Sequence, residues 1–406
     1  DDNSAFGADY DAAIYPKLSA AWVISEEPFW RWGHIANSIR LRGALGQAGR
    51  QPDVFAASTL YAPGVGPGGT PALSPDVLGN PDLGPEVSTE IEAGFDAAFF
   101  EDRVSAQFTY FNQDVKDALV SVPVAGSSGF PGSQSVNLGS ISNTGWELMI
   151  DARALERPSF ALDFGGGISH NENVVDDLGD RPSSGTLREG WPYPALDSKV
   201  ILSGQFDSQG VPINLMCDGG TEEAYRGGPA VPCDDAPQVL IGPGIPTWEA
   251  TFNSTVTLFR NLTIRGLVEW RGEHYRNSAD VDCRHWCFLT SEAANLRNDP
   301  IFVAALDDVV ESADIELGTY NAAFAKLREV SANYVLPSTL AGRIGASRAS
   351  INVAGRNLWT IWTAQQHVQT AIIPDPEAAG ADPLDTGTNS NIPPLASFIA
   401  TLRLSF

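Results

Sequence analysis

Four cysteines form two close pairs in this chain of 406 residues, Cys217 with Cys233 and Cys283 with Cys287. An even number of cysteines in local pairs is typical of disulfides in an oxidising compartment. A zinc site is the alternative for the second pair, because His285 lies between its cysteines. Since no further pair of metal ligands stands beside either pair, we predict two disulfides.

Acidic residues dominate the charge: 50 Asp and Glu stand against 25 Lys and Arg, which leaves a net charge of -25. This balance argues against nucleic acid as a partner, because phosphate binding needs clustered Lys and Arg. The acids gather in Gly- and Pro-rich stretches such as 176–180, which is typical of solvated loops. Calcium binding in these acidic loops is the alternative, with no residue assigned to it, and no other cofactor is predicted.

Residues arranged for catalysis are few. The chain contains no Gly-x-Ser-x-Gly or His-Glu-x-x-His pattern and only five histidines, so we predict that it is not an enzyme. Aromatic rings in the long irregular stretches are better candidates for ligand contact, because they can stack on sugar or peptide groups. The candidates are Trp191, Tyr193, Trp286 and Phe288, and packing within the loops is the alternative role.

The last nine residues carry the pattern that organises the chain. Phe398, Ala400, Leu402, Leu404 and Phe406 fall on one face of an extended segment, and mostly polar residues fall on the other. A terminal aromatic on the apolar face is typical of the last strand of an outer-membrane β-barrel. We therefore assign Phe398, Leu402, Leu404 and Phe406 as a barrel assembly signal.

The same period-two alternation recurs along the chain, with one apolar and one largely polar face. The predicted strands are 17–24, 39–45, 91–99, 104–111, 146–151, 160–168, 248–258, 262–271, 330–336, 351–359 and 398–406. A short helix is predicted within 292–310. The polar residues expected to face water are Glu92, Asp96, Gln107, Arg265, Glu269 and Arg403.

Connections between these strands alternate between short and long. Short turns are predicted at 100–103, 260–261 and 337–347, whereas 51–85, 112–140, 171–245 and 275–320 read as long loops. Antiparallel membrane barrels have short periplasmic turns and long outer loops. In hydrocarbon, only a closed ladder leaves no backbone group unpaired. The sequence therefore predicts an all-β, antiparallel transmembrane β-barrel with long extracellular loops.

Several segments then show a family resemblance. They include Tyr-Pro-Lys-Leu-Ser-Ala-Ala-Trp at 15–22, Ile-Ser-Glu-Glu-Pro-Phe at 24–29, Leu-Arg-Gly at 41–43, Gly-Asn-Pro-Asp-Leu at 79–83, Gly-Trp-Glu-Leu at 145–148, Leu-Arg-Glu-Val at 327–330 and Gly-Arg-Asn-Leu-Trp at 355–359, followed by the terminal Phe406. In this order they resemble SusC/RagA-type TonB-dependent outer-membrane transporters, and the match covers essentially the whole chain.

The resemblance implies a barrel of about 22 strands with a plugged lumen. Residues 1–406 would be roughly its C-terminal half, about 11–12 strands, with the plug domain and the N-terminal strands absent from this sequence. It also implies uptake of bulky nutrients, either oligosaccharide or peptide, across the bacterial outer membrane. The implied partners are outer-membrane lipid, a SusD-like surface lipoprotein, TonB–ExbB–ExbD reached through the missing N-terminal part, and the barrel assembly machinery.

Two other functions stay open at this point. An extracellular β-rich adhesin or carbohydrate-binding protein would explain the acidity, the disulfides and the alternation of residues. A passive porin-like barrel of about twelve strands would require this chain to close on itself. Two stacked sheets around a dry interior would favour the first, and a closed barrel formed by this chain alone would favour the second.

Overall fold

The computed structural model describes residues 14–179, 183, 186–222, 224–311, 317–364, 377, 387 and 393–406. Within these residues the strands, in chain order, are β1 (Lys17–Val23), β2 (Ala36–Arg50), β3 (Leu60–Val65), β4 (Pro71–Val77), β5 (Glu86–Phe99), β6 (Val104–Pro123), β7 (Ser133–Arg157), β8 (Phe160–Asp177), β9 (Ala195–Ser198), β10 (Ile201–Phe206), β11 (Pro212–Asp218), β12 (Ala230–Pro232), β13 (Val239–Pro243), β14 (Trp248–Leu258), β15 (Leu262–Gly272), β16 (Tyr275–Asn277), β17 (Thr319–Asn321), β18 (Phe324–Val335), β19 (Arg348–Thr363) and β20 (Ser397–Ser405). The helices are α1 (Ala279–His285), α2 (Glu292–Leu296), α3 (Pro300–Glu311) and α4 (Ser338–Arg343).

One sheet of eleven strands dominates the fold, in the order β1-β2-β5-β6-β7-β8-β14-β15-β18-β19-β20. Every neighbouring pair in it is antiparallel. All the predicted strands are confirmed as members of this sheet. Strand β1 pairs only with β2 and strand β20 only with β19, so the sheet of the described residues is open at both edges.

The two faces of the sheet differ in chemistry. On one face, Phe95, Phe108, Leu148, Ile168 and Ala250 stand opposite one another across five strands. The residues next to these in sequence point to the other face, where a polar row includes Asp96, Gln107 and Thr251. Side chains alternate between the faces because successive Cβ atoms of a strand point in opposite directions. We call these surfaces the apolar face and the polar face.

The connections follow the predicted alternation of length except at 124–132, which is shorter than 24–35 and 336–347 at the opposite end. One end of the sheet carries residues 24–35, 100–103, 158–159, 259–261 and 336–347, the last of which contains α4. The other end carries residues 51–85, 124–132, 178–247, 273–323 and 364–396. Among the described residues, no α-helix is both long and apolar enough to cross a membrane.

Three predicted loops contain more regular structure than expected. Most of 112–140 is strand, because β6 continues to Pro123 and β7 begins at Ser133. Within 51–85, β3 and β4 form a hairpin, and 171–245 holds the end of β8 and the short strands β9 to β13. The predicted single helix at 292–310 is two helices, because Arg297 adopts a left-handed conformation between α2 and α3.

A small hydrophobic core explains the length of β6 and β7. Ala118, Val120, Val136 and Val175 are buried together where these strands extend beyond the rest of the sheet. Tyr193, from the connection that follows β8, packs against this cluster. The extension is therefore stabilised by contacts from a distant loop, which strand alternation alone does not reveal.

Candidate functional site: the polar face of the sheet

The polar residues predicted to face water share one face. Asp96 lies opposite Gln107 on the neighbouring strand. Glu92 is four residues before Asp96 on the same strand, so its side chain lies on the same face. Towards the β20 edge of the sheet, Arg265 on β15 and Arg403 on β20 border one polar cavity. Arg40 and Arg42 form ion pairs with Asp96 at 2.6 and 3.4 Å, so charges on this face are compensated between neighbouring strands.

A β-bulge interrupts this face in strand β18. Leu327 lies opposite Val268 and Glu329 lies opposite Leu267, so Arg328 has no partner across this pairing. The pairing with β19 is also irregular here, and Asn357 has a positive φ of 52°. A bulge leaves one residue outside the ladder and re-aims its side chain. It places Arg328 on the same side of the sheet as Lys326.

Arg328 is the centre of a charged cluster. Its guanidinium donates to Glu269 on β15 and to both carboxylate oxygens of Glu377, with a Nη1–Oε2 distance of 2.8 Å. Lys326 donates to the same Glu377 carboxylate, and Arg271 donates to Glu269 at 2.7 Å. Glu377 lies between β19 and β20, so this cluster ties that connection to the wall of the sheet.

Burial makes this cluster different from a surface ion pair. The Arg328 and Glu377 side chains are only 14% and 15% exposed, and Lys326 is buried. Both cations also lie over the ring of Phe324, 5.3 Å and 5.5 Å from its centroid. Burial raises the pKa of Glu377, but hydrogen bonds from Arg328 and Lys326 outweigh burial and hold that pKa below its ordinary value of 4.5. The carboxylate therefore stays ionised.

A family model described as TonB dependent receptor-like, beta-barrel matches residues 1–276 of the 406, which is more than half of the chain. The chain belongs to this family. The polar face is therefore the lumenal wall of a transmembrane β-barrel, and the apolar face is its lipid-facing side.

Curated relatives support the assignment. TonB-dependent receptor P39 of Formosa agariphila is 30% identical over 181 residues, 44% of this chain and 17% of that protein. TonB-dependent receptor P26 of the same organism is 24% identical over 402 residues, 89% of this chain and 39% of its own length. TonB-dependent receptor SusC of Bacteroides thetaiotaomicron is 26% identical over 239 residues, 53% of this chain and 24% of its own. The chain thus spans less than half the length of these relatives.

Solved structures agree at the level of the fold. The structure of the RagAB peptide transporter superposes with a TM-score of 0.74 at 20% identity, over 99% of this chain and 44% of that chain. The RagAB peptide importer in its 'open-open' state gives a TM-score of 0.70 with the same identity and coverage. Together with SusC, these matches confirm the predicted resemblance to SusC/RagA-type transporters.

The four loop aromatics of this barrel occupy different environments. Trp191 is fully buried beneath Arg188, whose guanidinium carbon lies 4.8 Å from the ring centroid. A substrate cannot contact this ring in the observed arrangement, so its part here is loop packing. Tyr193 is half-buried against the core of β6 and β7. Trp286 and Phe288 are 42% and 69% exposed, and they remain candidates for ligand contact.

Both predicted disulfides are confirmed: Cys217 is bonded to Cys233, and Cys283 to Cys287. The first joins β11 to the turn after β12, and the second closes the end of α1, so both brace the long connections. Within the part of the chain that the structure describes, no three His, Cys, Asp or Glu side chains gather as metal ligands.

The terminal strand presents its predicted apolar residues on the lipid-facing side. The side chains of Phe398, Leu402, Leu404 and Phe406 are all exposed, and Phe406 is 85% exposed. Their role in barrel assembly remains a prediction. The strand pairs regularly with β19 from Arg348–Ser405 to Arg356–Ser397.

Of the charged cluster, only Glu269 was among the predicted water-facing residues, and the other four members were not. Glu377 stands in a predicted irregular loop, and Arg328 appeared only as part of a resembling segment. Lys326 and Arg328 lie just before the predicted strand 330–336, and their spacing of two residues was the available signal. The bulge and the loop contact that join them to Glu377 depend on residues distant in sequence.

Proposed function

We propose that this chain is part of an outer-membrane receptor that imports bulky nutrients, either oligosaccharide or peptide, with energy supplied through TonB. The observation that carries the proposal is the wall itself, a sheet of eleven strands with one lipid-compatible face and one polar face. Family membership supports the same proposal.

An aromatic row on the lipid-facing side supports insertion in a membrane. Tyr110, Trp146, His170 and Trp248 lie opposite one another on neighbouring strands. The Trp146 and Trp248 rings meet edge to face with centroids 5.7 Å apart. Amphipathic rings favour the membrane–water interface, where girdles flank the apolar band of a barrel. We infer that the long connections beyond this row are extracellular and that the short turns are periplasmic.

The remaining functional parts are proposed to lie outside this sequence. Both sheet edges, β1 and β20, lack a second partner among the described residues, and an unpaired edge is costly in hydrocarbon. Further barrel strands would close the ladder, and a plug domain would fill the lumen. We propose that residues 1–406 form the C-terminal part of the barrel, that the missing N-terminal part contacts TonB–ExbB–ExbD, and that the terminal strand is read by the barrel assembly machinery.

The similarity to SusC and to the RagAB fold also suggests an external lid. We propose that a SusD-like surface lipoprotein covers the extracellular end. Affinity purification of the tagged receptor in mild detergent tests this partner, and the expected result is a stoichiometric lipoprotein. Recovery of the receptor alone would contradict the lid.

The transport proposal is tested by nutrient uptake in cells with and without functional TonB. We expect accumulation of labelled nutrient to require both the receptor and TonB. Uptake that requires the receptor but is unchanged without TonB would instead support a passive barrel. A receptor that fractionates as a soluble protein without detergent would support an adhesin and overturn both membrane functions.

A further inference from the structure

A chain of hydrogen-bonded polar side chains crosses four neighbouring strands on the lumenal wall. Asn173 on β8 donates to Asn143 on β7 at 2.7 Å, and Asn143 donates to Gln113 on β6 at 3.2 Å. Gln113 donates to Glu90 on β5 at 3.4 Å. These residues stand directly opposite one another in the register, so they form one level row. We call this row the amide ladder.

The ladder has unused hydrogen-bonding capacity. Each carboxamide has two N–H donors and an oxygen with two lone pairs. Gln113 and Asn143 each use one donor and one acceptor within the row. Asn173 donates to Asn143, and its carbonyl oxygen accepts from the backbone N–H of Tyr193 at 2.7 Å. Each amide therefore keeps one donor and one acceptor, repeated at the strand spacing of about 4.8 Å. All three side chains are half-buried rather than sealed.

An aromatic ring lies beside the ladder on the same wall. Phe111 is two residues from Gln113 on β6, so its side chain points to the lumen, and it stands directly opposite Gly145 on β7. A Cβ on Gly145 would lie 2.6 Å from Cζ of Phe111. The ring therefore lies across the backbone at Gly145, where only glycine leaves room for it. The ring is half-buried on the lumenal side of the wall.

We propose that the amide ladder and Phe111 form a binding site for a neutral oligosaccharide on the lumenal wall. This inference rests on the proposed transport function and specifies the cargo class. A sugar hydroxyl both donates and accepts at one atom, which matches the donor and acceptor that each ladder amide keeps. The apolar face of a sugar ring packs on an aromatic face such as that of Phe111.

Charge and chemistry favour this ligand over the alternatives. Glu90 ends the ladder and Glu92 lies one step below it, so an anionic ligand would meet like charge. Two cations of the wall, Arg328 and Lys326, already bind Glu377. A peptide backbone amide could also pair with a ladder carboxamide, so the preference for a sugar rests on Phe111, whose ring offers a surface to the apolar face of a sugar.

The test measures binding by the complete receptor purified in detergent, which does not depend on TonB. An array of neutral oligosaccharides of different linkage supplies the probes, with uncharged hexapeptides as a second arm. We expect an oligosaccharide to bind, and Asn143→Ala to weaken its affinity by about tenfold or more through loss of one donor and one acceptor. Phe111→Leu, which keeps apolar volume, is expected to weaken it by about fivefold.

Asn112→Ala is the matched control. Asn112 lies on the same strand but on the opposite face, where its amide donates to Thr144 at 2.7 Å. This variant also loses one amide and one hydrogen bond, and its affinity is expected to stay within about twofold of the parent receptor. Thermal unfolding of the variants, measured alongside, reports any general loss of structure.

Several outcomes would overturn the site. One is an equal effect of Asn143→Ala and Asn112→Ala on affinity. Others are binding of hexapeptides in place of sugars, or binding of no neutral oligosaccharide. A loss of stability in Asn143→Ala with unchanged affinity would instead indicate a contact with the plug. A receptor that still imports its nutrient with TonB under any of these outcomes would retain the transport function and lose only this site. Uptake that is unchanged without TonB would replace TonB-dependent import by a passive barrel and leave the detergent binding result intact.

Discussion

Removal of the Glu377 charge tests whether the charged cluster on β18 stabilises the receptor. In Glu377→Gln, the buried guanidinium of Arg328 keeps Glu269 but loses a bidentate carboxylate, and Lys326 loses a charged acceptor. Breaking a fully buried ion pair costs about 3–5 kcal/mol. Because Arg328 retains one carboxylate and the pair is slightly exposed, we expect the free energy of unfolding to fall by about 3 kcal/mol, the low end of that range.

The assay is urea unfolding of the receptor in detergent, followed by tryptophan fluorescence. A double-mutant cycle with Glu377→Gln and Arg328→Met isolates the interaction, and we expect a coupling energy of about 2 kcal/mol. The matched control is Glu329→Gln on the next residue of the strand. Glu329 accepts from Arg356 at 3.0 Å, but the two side chains are 33% and 56% exposed. Solvent screening should limit its cost to about 0–1 kcal/mol.

The pH dependence gives this prediction a direction. The folded-state pKa of Glu377 lies below its ordinary value of 4.5, so its contribution to stability is complete above that value. It is lost as the pH falls through the lower folded-state pKa. The difference in the free energy of unfolding between the parent receptor and Glu377→Gln should therefore be constant from neutral pH to about 5, and it should shrink as the pH falls further. A coupling energy under about 0.5 kcal/mol, as at an exposed pair, would refute the reasoning.

Three further predictions concern the lipid-facing side, the C-terminus and a disulfide. Phe252→Arg on the lipid-facing side should destabilise the folded barrel by about 2–4 kcal/mol near the membrane centre, whereas Asn253→Arg on the lumenal side should cost far less, as measured by unfolding in lipid vesicles. Phe406→Asp should lower the amount of heat-modifiable barrel in outer-membrane fractions, and Ser405→Asp, on the opposite face, should not. Cys217→Ser opens a disulfide spanning 16 residues and should destabilise that loop by about 3 kcal/mol. Limited proteolysis should then cut the loop faster while the barrel stays intact. An unchanged cleavage rate would contradict this prediction.

Period-two alternation was sufficient to predict the strands and their two faces. The pattern of β14 and β15 is one example: Val256 and Ile264, which stand opposite each other, are both apolar, and so are Phe252 and Val268. Alternation works because the direction of a side chain in a strand depends only on local backbone geometry. The disulfide pairs and most lengths of the connections were also predictable, because both are properties of neighbouring segments. The exception is 112–140, most of which is strand.

Tertiary structure decided what register and distant contacts control. The amide ladder exists only because Gln113, Asn143 and Asn173, which lie on the three strands β6, β7 and β8, stand opposite one another in the register of the sheet. The bulge at Arg328 changes the register with both neighbours and brings Glu377 to it from a loop. Alternation within one strand cannot specify its offset against the next strand, since that offset is fixed by packing and hydrogen bonds across the sheet.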